Sequence, residues 1–488
     1  MTTRVRAGHL LAWNGTDHVI LADAELVYRG EEIVYVGQSW DGEADEEIDA
    51  STSLVMPGFI DLDALTDIDH CLLDSWADRS TSGGYNWSPD YAAAPHGVFT
   101  QEERATVREF AIAQLARHGV TTFMPIASEV HSDWAETYQD FVDVAEISQR
   151  IGLRGYLGPS YRSGVNVSDA GGGDVYYATE RGRVGFEDAV AFLDYADGLE
   201  TDLVHGTLLP CRIETLSMEL MRETARVARE RDVFVRLHCL QGAGEVRFTQ
   251  REWQLGVVDA LAEAGLLEAK LLIPHGRELG DLRDPQVAQG PDVRRLVEAG
   301  VPIIHCPLTS ARYGSGLLTF EAYLAAGLHM VLGTDSFPPD LIRGIDVGVQ
   351  VGKILGGSLA AGRVDSYVRA GTSAGADALG RPDLGRLSQG AKADFIVAEL
   401  GDFAMGVVED PVRTLVVNGS GRDIVRTVVA GRTVMLDGQV LGVPDMDGLK
   451  CRAQGLFDRM RAAYTERDHA HRGTEELFPA SFEKGNGK

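Results

Sequence analysis

Three imidazoles and three carboxylates close short apolar runs, where a strand would end and a reactive group could project. Asp61 and Asp63 lie in "VMPGFIDLDAL" (55–65), His238 in "VFVRLHCLQ" (233–241), His275 in "LLIPHG", His305 in "VPIIHCP" and Asp335 in "VLGTDS". Side chains alternate along a strand, so Asp61, Asp63 and Leu65 share one face if the strand runs through them. Imidazole nitrogens and carboxylate oxygens from different strands can converge on one divalent ion, zinc, iron or manganese. The same groups can also act as acid and base with no metal. Each has a plainer explanation: a histidine in an apolar strand is commonly a hydrogen-bonded core residue, and Asp335 suits a turn or helix cap. The combination of His, His and Asp ending three separate strand candidates is more specific than any member. Cys239 and Cys306 directly follow His238 and His305, and the same alternation turns their thiols away from those rings. His118 and His205 lie near strand starts and are assigned no role.

These residues need a scaffold that gathers strand ends. Eight apolar runs occur in the middle of the chain: "SLVMPGFID", "VTTFMPI", "LRGYLGPSY", "LVHGTLLPC", "VFVRLHCL", "LLIPHG", "VPIIHCP" and "MVLGTDS". Helix-like segments separate most of them. "TQEERATVREFAIAQLARHG" opens with Thr100 and Glu103 at capping-box spacing and stops at Gly119. Strand–helix alternation over this length predicts an α/β fold, a (β/α)8 TIM barrel spanning 56–375, with reactive groups at the C-terminal ends of its strands. Residues 1–55 and 376–442 are instead rich in short strands and hairpin turns, Gly30, "AGR" and "DG" among them. Neither end alone has the strands for a stable sandwich, so the two are expected to combine into one composite β-sandwich. Residues 443–488 form a helical C-terminal extension.

Of 488 residues, 73 are acidic and 45 basic, a net charge of −28 that argues against nucleic acid or an anionic membrane as partner. No apolar run is long enough to span a bilayer, and "MTTRVRAGHLLAWNG" lacks the core and cleavage site of a secretion signal. Five scattered cysteines suggest reduced thiols. The expectation is a cytoplasmic protein acting on a small molecule.

The chain resembles the amidohydrolase superfamily, in the branch of cytosine deaminase and the triazine hydrolases. The resemblance rests on "VMPGFID", "VFVRLHCLQ", "LLIPHG", "IIHCPLTSARYGSG", "VLGTDS" and "GRLSQGAKADFIV", and covers nearly all of residues 1–442. It implies one metal, a His-x-His pair on strand one, a His on strand five and an Asp on strand eight. A strand-six His and a Glu three residues past the strand-five His assist. His238, His275 and Asp335 match that pattern. Asp63 stands at the first His of the pair and Leu65 at the second, Gln241 stands at the assisting Glu, and Arg236 occupies a position that is often His. Asp335 and His275 are thereby the catalytic candidates, and Asp63, His238 and Asp335 the metal set.

The departures carry a chemical cost. Leu65 cannot bind a metal, and Gln241 hydrogen-bonds but cannot carry a proton. One nitrogen and two oxygens make a weaker zinc site than three imidazoles, so the divalent metal is expected to be weakly bound or absent. His70 and Asp67, just past strand one, would restore donors if their loop folded back. Gln241, Tyr161, Arg162 and His305 are the substrate-binding candidates, and Trp76, Tyr85 and Trp87 could wall a planar substrate. The implied activity is water attack on a C–N or ring carbon–halogen bond of a small cyclic or heteroaromatic nitrogen compound. Two alternatives stand beside it: a metal-independent enzyme using Asp63, Asp335 and His275 as acid and base, and a non-catalytic binding protein that keeps the pocket. The resemblance also implies a homodimer.

Overall fold

The computed structural model describes residues 1–73, 87–126, 130–170, 172–317 and 319–482. Both chain ends build one eight-stranded sheet. Its centre is the junction between them. Glu46–Pro57 pairs in parallel with Thr2–Trp13 on one side and antiparallel with Phe395–Glu399 on the other. His18–Arg29 and Glu32–Gly37 extend the N-terminal half, and Ile424–Val429, Arg432–Leu436 and Gln439–Val440 the C-terminal half. The sheet curls back on itself: Glu32 bridges Lys392, and Ile33 N donates to Ala391 O at 2.8 Å. The curl encloses Val5, Leu10, Leu26, Ile33, Phe395 and Val428 in a core of their own. The composite sandwich-like domain is therefore as expected, and the hairpin glycines explain its tight corners. Gly30, Gly431 and Gly438 all adopt positive φ, the region a side chain disfavours.

The sheet hands the chain directly to the barrel at Gly58, where a Cβ would lie 2.1 Å from Thr121 Cγ2. The eight barrel strands are Phe59–Ala64, Val120–Pro125, Arg154–Leu157, Val204–Gly206, Phe234–Arg236, Lys270–Pro274, Pro302–His305 and His329–Leu332. They pair in parallel as two four-stranded sheets. One seam is closed by the Leu208–Val235 bridge and the other by Asp335 N donating to Asp63 O at 2.8 Å. Each strand lies in or overlaps one of the eight apolar runs. The helix Gln101–Arg117 carries the expected capping box, with Thr100 N donating to Glu103 Oε2 at 2.8 Å. The C-terminal helix Met446–Ala463 lies against it, tied by Arg459 Nη1 to Glu103 Oε1 at 2.9 Å.

Candidate functional site

The C-terminal ends of strands one, five, six, seven and eight deliver the chemistry. Asp63, His238, His275, Cys306 and Asp335 are all buried. Asp63 Oδ2 lies 3.6 Å from His238 Nε2 and 3.5 Å from Cys306 Sγ. His275 Nε2 lies 3.7 Å from Asp335 Oδ2, and the rings of His238 and His275 are 5.4 Å apart. The potential ligand atoms form two overlapping groups joined at His275: Asp63–His238–His275 and His275–Cys306–Asp335, each with all its atoms within 4.8 Å of one another. The expected set of Asp63, His238 and Asp335 is thus divided between them.

Backbone geometry aims these groups. His275 (φ 70°) and Asp335 (φ 45°) adopt the left-handed region, as does Leu240 (φ 57°) between His238 and Gln241. A non-glycine residue there costs on the order of 1–3 kcal/mol, a strain that clusters at functional sites. Gly333 brings strand eight against strand one; a Cβ there would sit 2.5 Å from Asp63 Cβ. Asp61 does not face the other donors but ties the seam: Oδ1 accepts from Thr334 N (3.0 Å) and Asp63 N (3.2 Å), and Oδ2 from Thr334 Oγ1 (2.6 Å). Burial pushes its carboxyl up to about 7.

Arg236 sets the electrostatics. Fully buried, it donates from Nη1 to Asp63 Oδ1 at 2.5 Å. Burial would raise the Asp63 carboxyl, but the adjoining His238 and the permanent Arg236 charge outweigh it and hold Asp63 below the usual carboxylate range. Burial lowers His238, against the pull of Asp63. Burial also holds His275 well below the usual range, with His238 adding to the effect.

A cleft of about 370 Å³ opens above these groups. Asp335, His275, His70, Arg212, Gln241, Glu245 and Arg277 are among the residues that line it. His70 does fold back: its Nδ1 is 4.0 Å from Asp335 Oδ1. Asp67 does not, because it accepts from buried His131 Nε2 at 2.7 Å. Gln241 is locked in place. Its Oε1 accepts from Arg212, its carbonyl from Arg277 Nη2 at 2.6 Å, and its N–H donates to Glu245 Oε1 at 2.5 Å. Burial, with the Glu214 charge nearby, pushes Glu245 up to about 8.

Of the substrate-binding candidates, Gln241 alone lines this cleft. Tyr161 faces the barrel's helical layer, with its hydroxyl 2.8 Å from Thr224 Oγ1. Arg162 donates to Trp134 O at 2.7 Å and stacks 5.1 Å over Trp87. His305 sits among Phe320 and Tyr367, and burial lowers it to about 3. Trp87 is enclosed between Arg162 and Arg467, while Trp76 and Tyr85 lie outside the described residues. Cys306 points away from His305, as alternation requires, and that same direction takes it into the neighbouring donor cluster. Arg212, Glu245 and Arg277 were missed. For Glu245 and Arg277 a signal was present: Glu245 lies four residues past Gln241, and Arg277 directly follows "HG".

A sequence profile of the amidohydrolase family matches residues 54–434. A 5-methylthioadenosine/S-adenosylhomocysteine deaminase of Pyrococcus abyssi is 25% identical over 429 residues, covering 87% of this chain and 92% of the relative. Its counterpart in Halobacterium salinarum is 28% identical over 451 residues, covering 90% and 94%. Among solved structures, a zinc-bound adenosine deaminase of Xanthomonas campestris superposes with a TM-score of 0.77 at 19% identity, covering 94% of this chain and 98% of that one. A zinc complex of atrazine chlorohydrolase from Arthrobacter aurescens also gives 0.77 at 19% identity, covering 93% and 99%. Both structures share the fold and hold zinc. The donor set of the present chain is chemically suited to such an ion, and buried His275 Nε2 has no hydrogen-bond partner among the described residues.

Proposed function

The chain belongs to the amidohydrolase family, and from that premise we propose that it hydrolyses a small heteroaromatic nitrogen compound by water attack at an amino-bearing ring carbon. One observation carries the reading: Asp335 and His275, on separate strands and 3.7 Å apart, open together into the cleft. Asp335 is the acceptor for the proton of the attacking water. Neutral His275, with Nε2 uncommitted, faces the charge that develops on the substrate. Asp63, His238 and Asp335 are the residues that would hold a divalent metal, with His275 and Cys306 adjacent. When bound, the metal would supply the positive charge that lowers the pKa of water. Its binding is weak by this reading, because Leu65 offers no donor and Asp63 Oδ1 is already engaged by Arg236. Ammonia loss at a purine-like ring is the preferred reaction, in line with the deaminase names of the relatives; dehalogenation would use the same attack.

A second reading, turnover without a metal, is favoured by the Arg236 contact, which places a permanent cation beside Asp63. Asp63, Asp335 and His275 then share the acid and base roles. No helix of the described residues is long and apolar enough to cross a membrane, and none of the five cysteines is in a disulfide. A cytoplasmic location fits that thiol state, and a homodimer rests on the family resemblance alone.

The test is ammonia release from adenosine, 5′-methylthioadenosine, guanine and amino-triazines, with the chain as purified and after adding zinc or manganese. Release that falls at least about a hundredfold in Asp335→Asn supports the reading. Release from none of the panel under any metal condition would overturn it in favour of a binding protein.

A further inference from the structure

We propose that the cleft continues past Gly244 into a second subsite, built on the neighbouring carboxyls of Glu214 and Glu245, that takes a cationic nitrogen group on the substrate: an amidinium, guanidinium or alkylammonium arm. The inference deepens the proposed function, since it rests on the cleft being the substrate site. Beside the cleft lies a second hollow of about 350 Å³, with Asn166, Asp174, Arg247, Phe248 and Arg251 in its walls. Glu214, Gly244 and Glu245 line both spaces. Gly244 leaves room where the two meet: a Cβ there would have no atom within 4 Å, and the same holds at Gly242.

Both carboxyls are fixed by neutral contacts and not by a counter-charge. Glu214 sits in the turn Ile213–Thr215 after strand four. Ile213 N donates to His238 O at 3.0 Å and Tyr177 Oη to Glu214 O at 2.8 Å, which pins that turn beside strand five. Glu214 Oε1 accepts from Asn166 Nδ2 at 3.1 Å, and its buried Oε2 has no hydrogen-bond partner among the described residues. Glu245 lies in the first turn of the helix Ala243–Glu252 and accepts from Gln241 N at 2.5 Å. The two residues are only 9% and 6% exposed, yet neither is in an ion pair among the described residues. The nearby guanidiniums are engaged elsewhere: Arg212 and Arg277 donate to Gln241, and Arg251 to Asp174 and Glu252. Buried carboxylates without a counter-charge are disfavoured. Here the strain falls on Glu245, which burial and the Glu214 charge push up to about 8 against the pull of Arg212. A neutral hydroxyl would fill the open acceptor and leave the charge uncompensated. A cationic N–H donor does both. With the cation bound, Glu245 ionises and its proton passes to solvent.

The experiment is isothermal titration calorimetry of the full chain at pH 7 and about 0.15 M salt, where loose surface ion pairing is screened. The ligands are benzamidine, an aromatic amidinium, and benzamide, its neutral counterpart. The proposal expects about one benzamidine per chain and benzamide weaker by at least about tenfold. Titrations in buffers of different ionisation enthalpy should show release of about one proton per benzamidine bound. Glu214→Gln should weaken benzamidine by at least about tenfold and leave benzamide unchanged. Glu245→Gln should remove the proton release. Gly244→Leu puts a side chain into the shared space and should weaken benzamidine as well, whereas Glu187→Gln, exposed on another helix, should leave its affinity unchanged. Absent benzamidine binding, equal affinity for the two ligands, binding without proton release, release that persists in Glu245→Gln, or affinity untouched by Glu214→Gln or Gly244→Leu would each overturn the proposal. Ligand preference and proton release are read on the unaltered chain, so they decide even where a variant fails to fold. No turnover is involved, so a chain that releases no ammonia counts against the proposed function and not against this result.

Discussion

Replacing Arg236 with Met tests whether the buried ion pair governs this site. Arg236 and Asp63 are both fully buried, and the contact is 2.5 Å. Removing one member of such a pair strands the other and typically costs about 3–5 kcal/mol. A chain of 488 residues has an unfolding entropy on the order of 1 kcal/mol/K. The Tm of Arg236→Met should therefore fall by about 3–5 °C at pH 7. The pH dependence has a definite sign. Asp63 is held below its usual range in the folded protein, so its contribution is present above the unfolded carboxylate value of about 3.9 and is lost as pH falls through the lower folded one. Without Arg236 one of the charges that hold Asp63 low is lost and Asp63 takes up a proton more readily, so the deficit of the variant should shrink as the pH is lowered from 7 toward 5. A companion variant, Asp63→Leu with Arg236→Met, removes both charges and should recover most of the lost Tm, because an apolar pair of similar volume is often as stable as the ions it replaces. Differential scanning calorimetry from pH 5 to 8 measures all of this. A single variant within about 1 °C of the parent, or a double variant as unstable as the single, would show that the pair does not hold the site together.

Asp335→Asn should keep its circular dichroism and Tm yet lose at least about a hundredfold in turnover, the scale of a lost acid–base group; near-parental ammonia release would remove it from the chemistry. Asp61 is raised to about 7 in the folded state, so its contribution is full below the unfolded value of about 3.9 and is lost as pH rises through about 7. Asp61→Asn should accordingly flatten the fall in stability between pH 5 and 8, as read by urea midpoints. Asp63→His with Leu65→His should raise zinc occupancy by elemental analysis only when Arg236→Leu is added, because Arg236 otherwise faces the new imidazole unpaired; equal occupancy in the double and triple variants would contradict that. Gly333→Ala forces a Cβ to within 2.5 Å of Asp63 Cβ, and the strain should cost about 1–3 kcal/mol, with metal uptake falling alongside it.

Much of this protein is legible in its sequence because strand and turn signals are local. The apolar runs ending in His238, His275 and Asp335 mark three barrel strands without reference to anything distant, and Thr100 with Glu103 announces a helix start that the fold honours. Alternation along one strand was also enough to turn Cys306 away from His305. What alternation cannot give is the neighbour across the barrel. Asp63 and Arg236 are 173 residues apart and Asp63 and Cys306 are 243 apart. Whether Asp63 is free to bind a metal or already paired depends on strand five lying opposite strand one at one height. The same holds for Tyr161, Arg162 and His305, which share the sequence signature of mouth residues yet face Thr224, Trp134 and an aromatic cluster instead of the cleft. The donors were therefore set by residue type and local period. Which of them meet, and which charges are already balanced, was decided only by closure of the barrel, which brings distant strand ends within a few ångströms in a medium where every unpaired charge is costly.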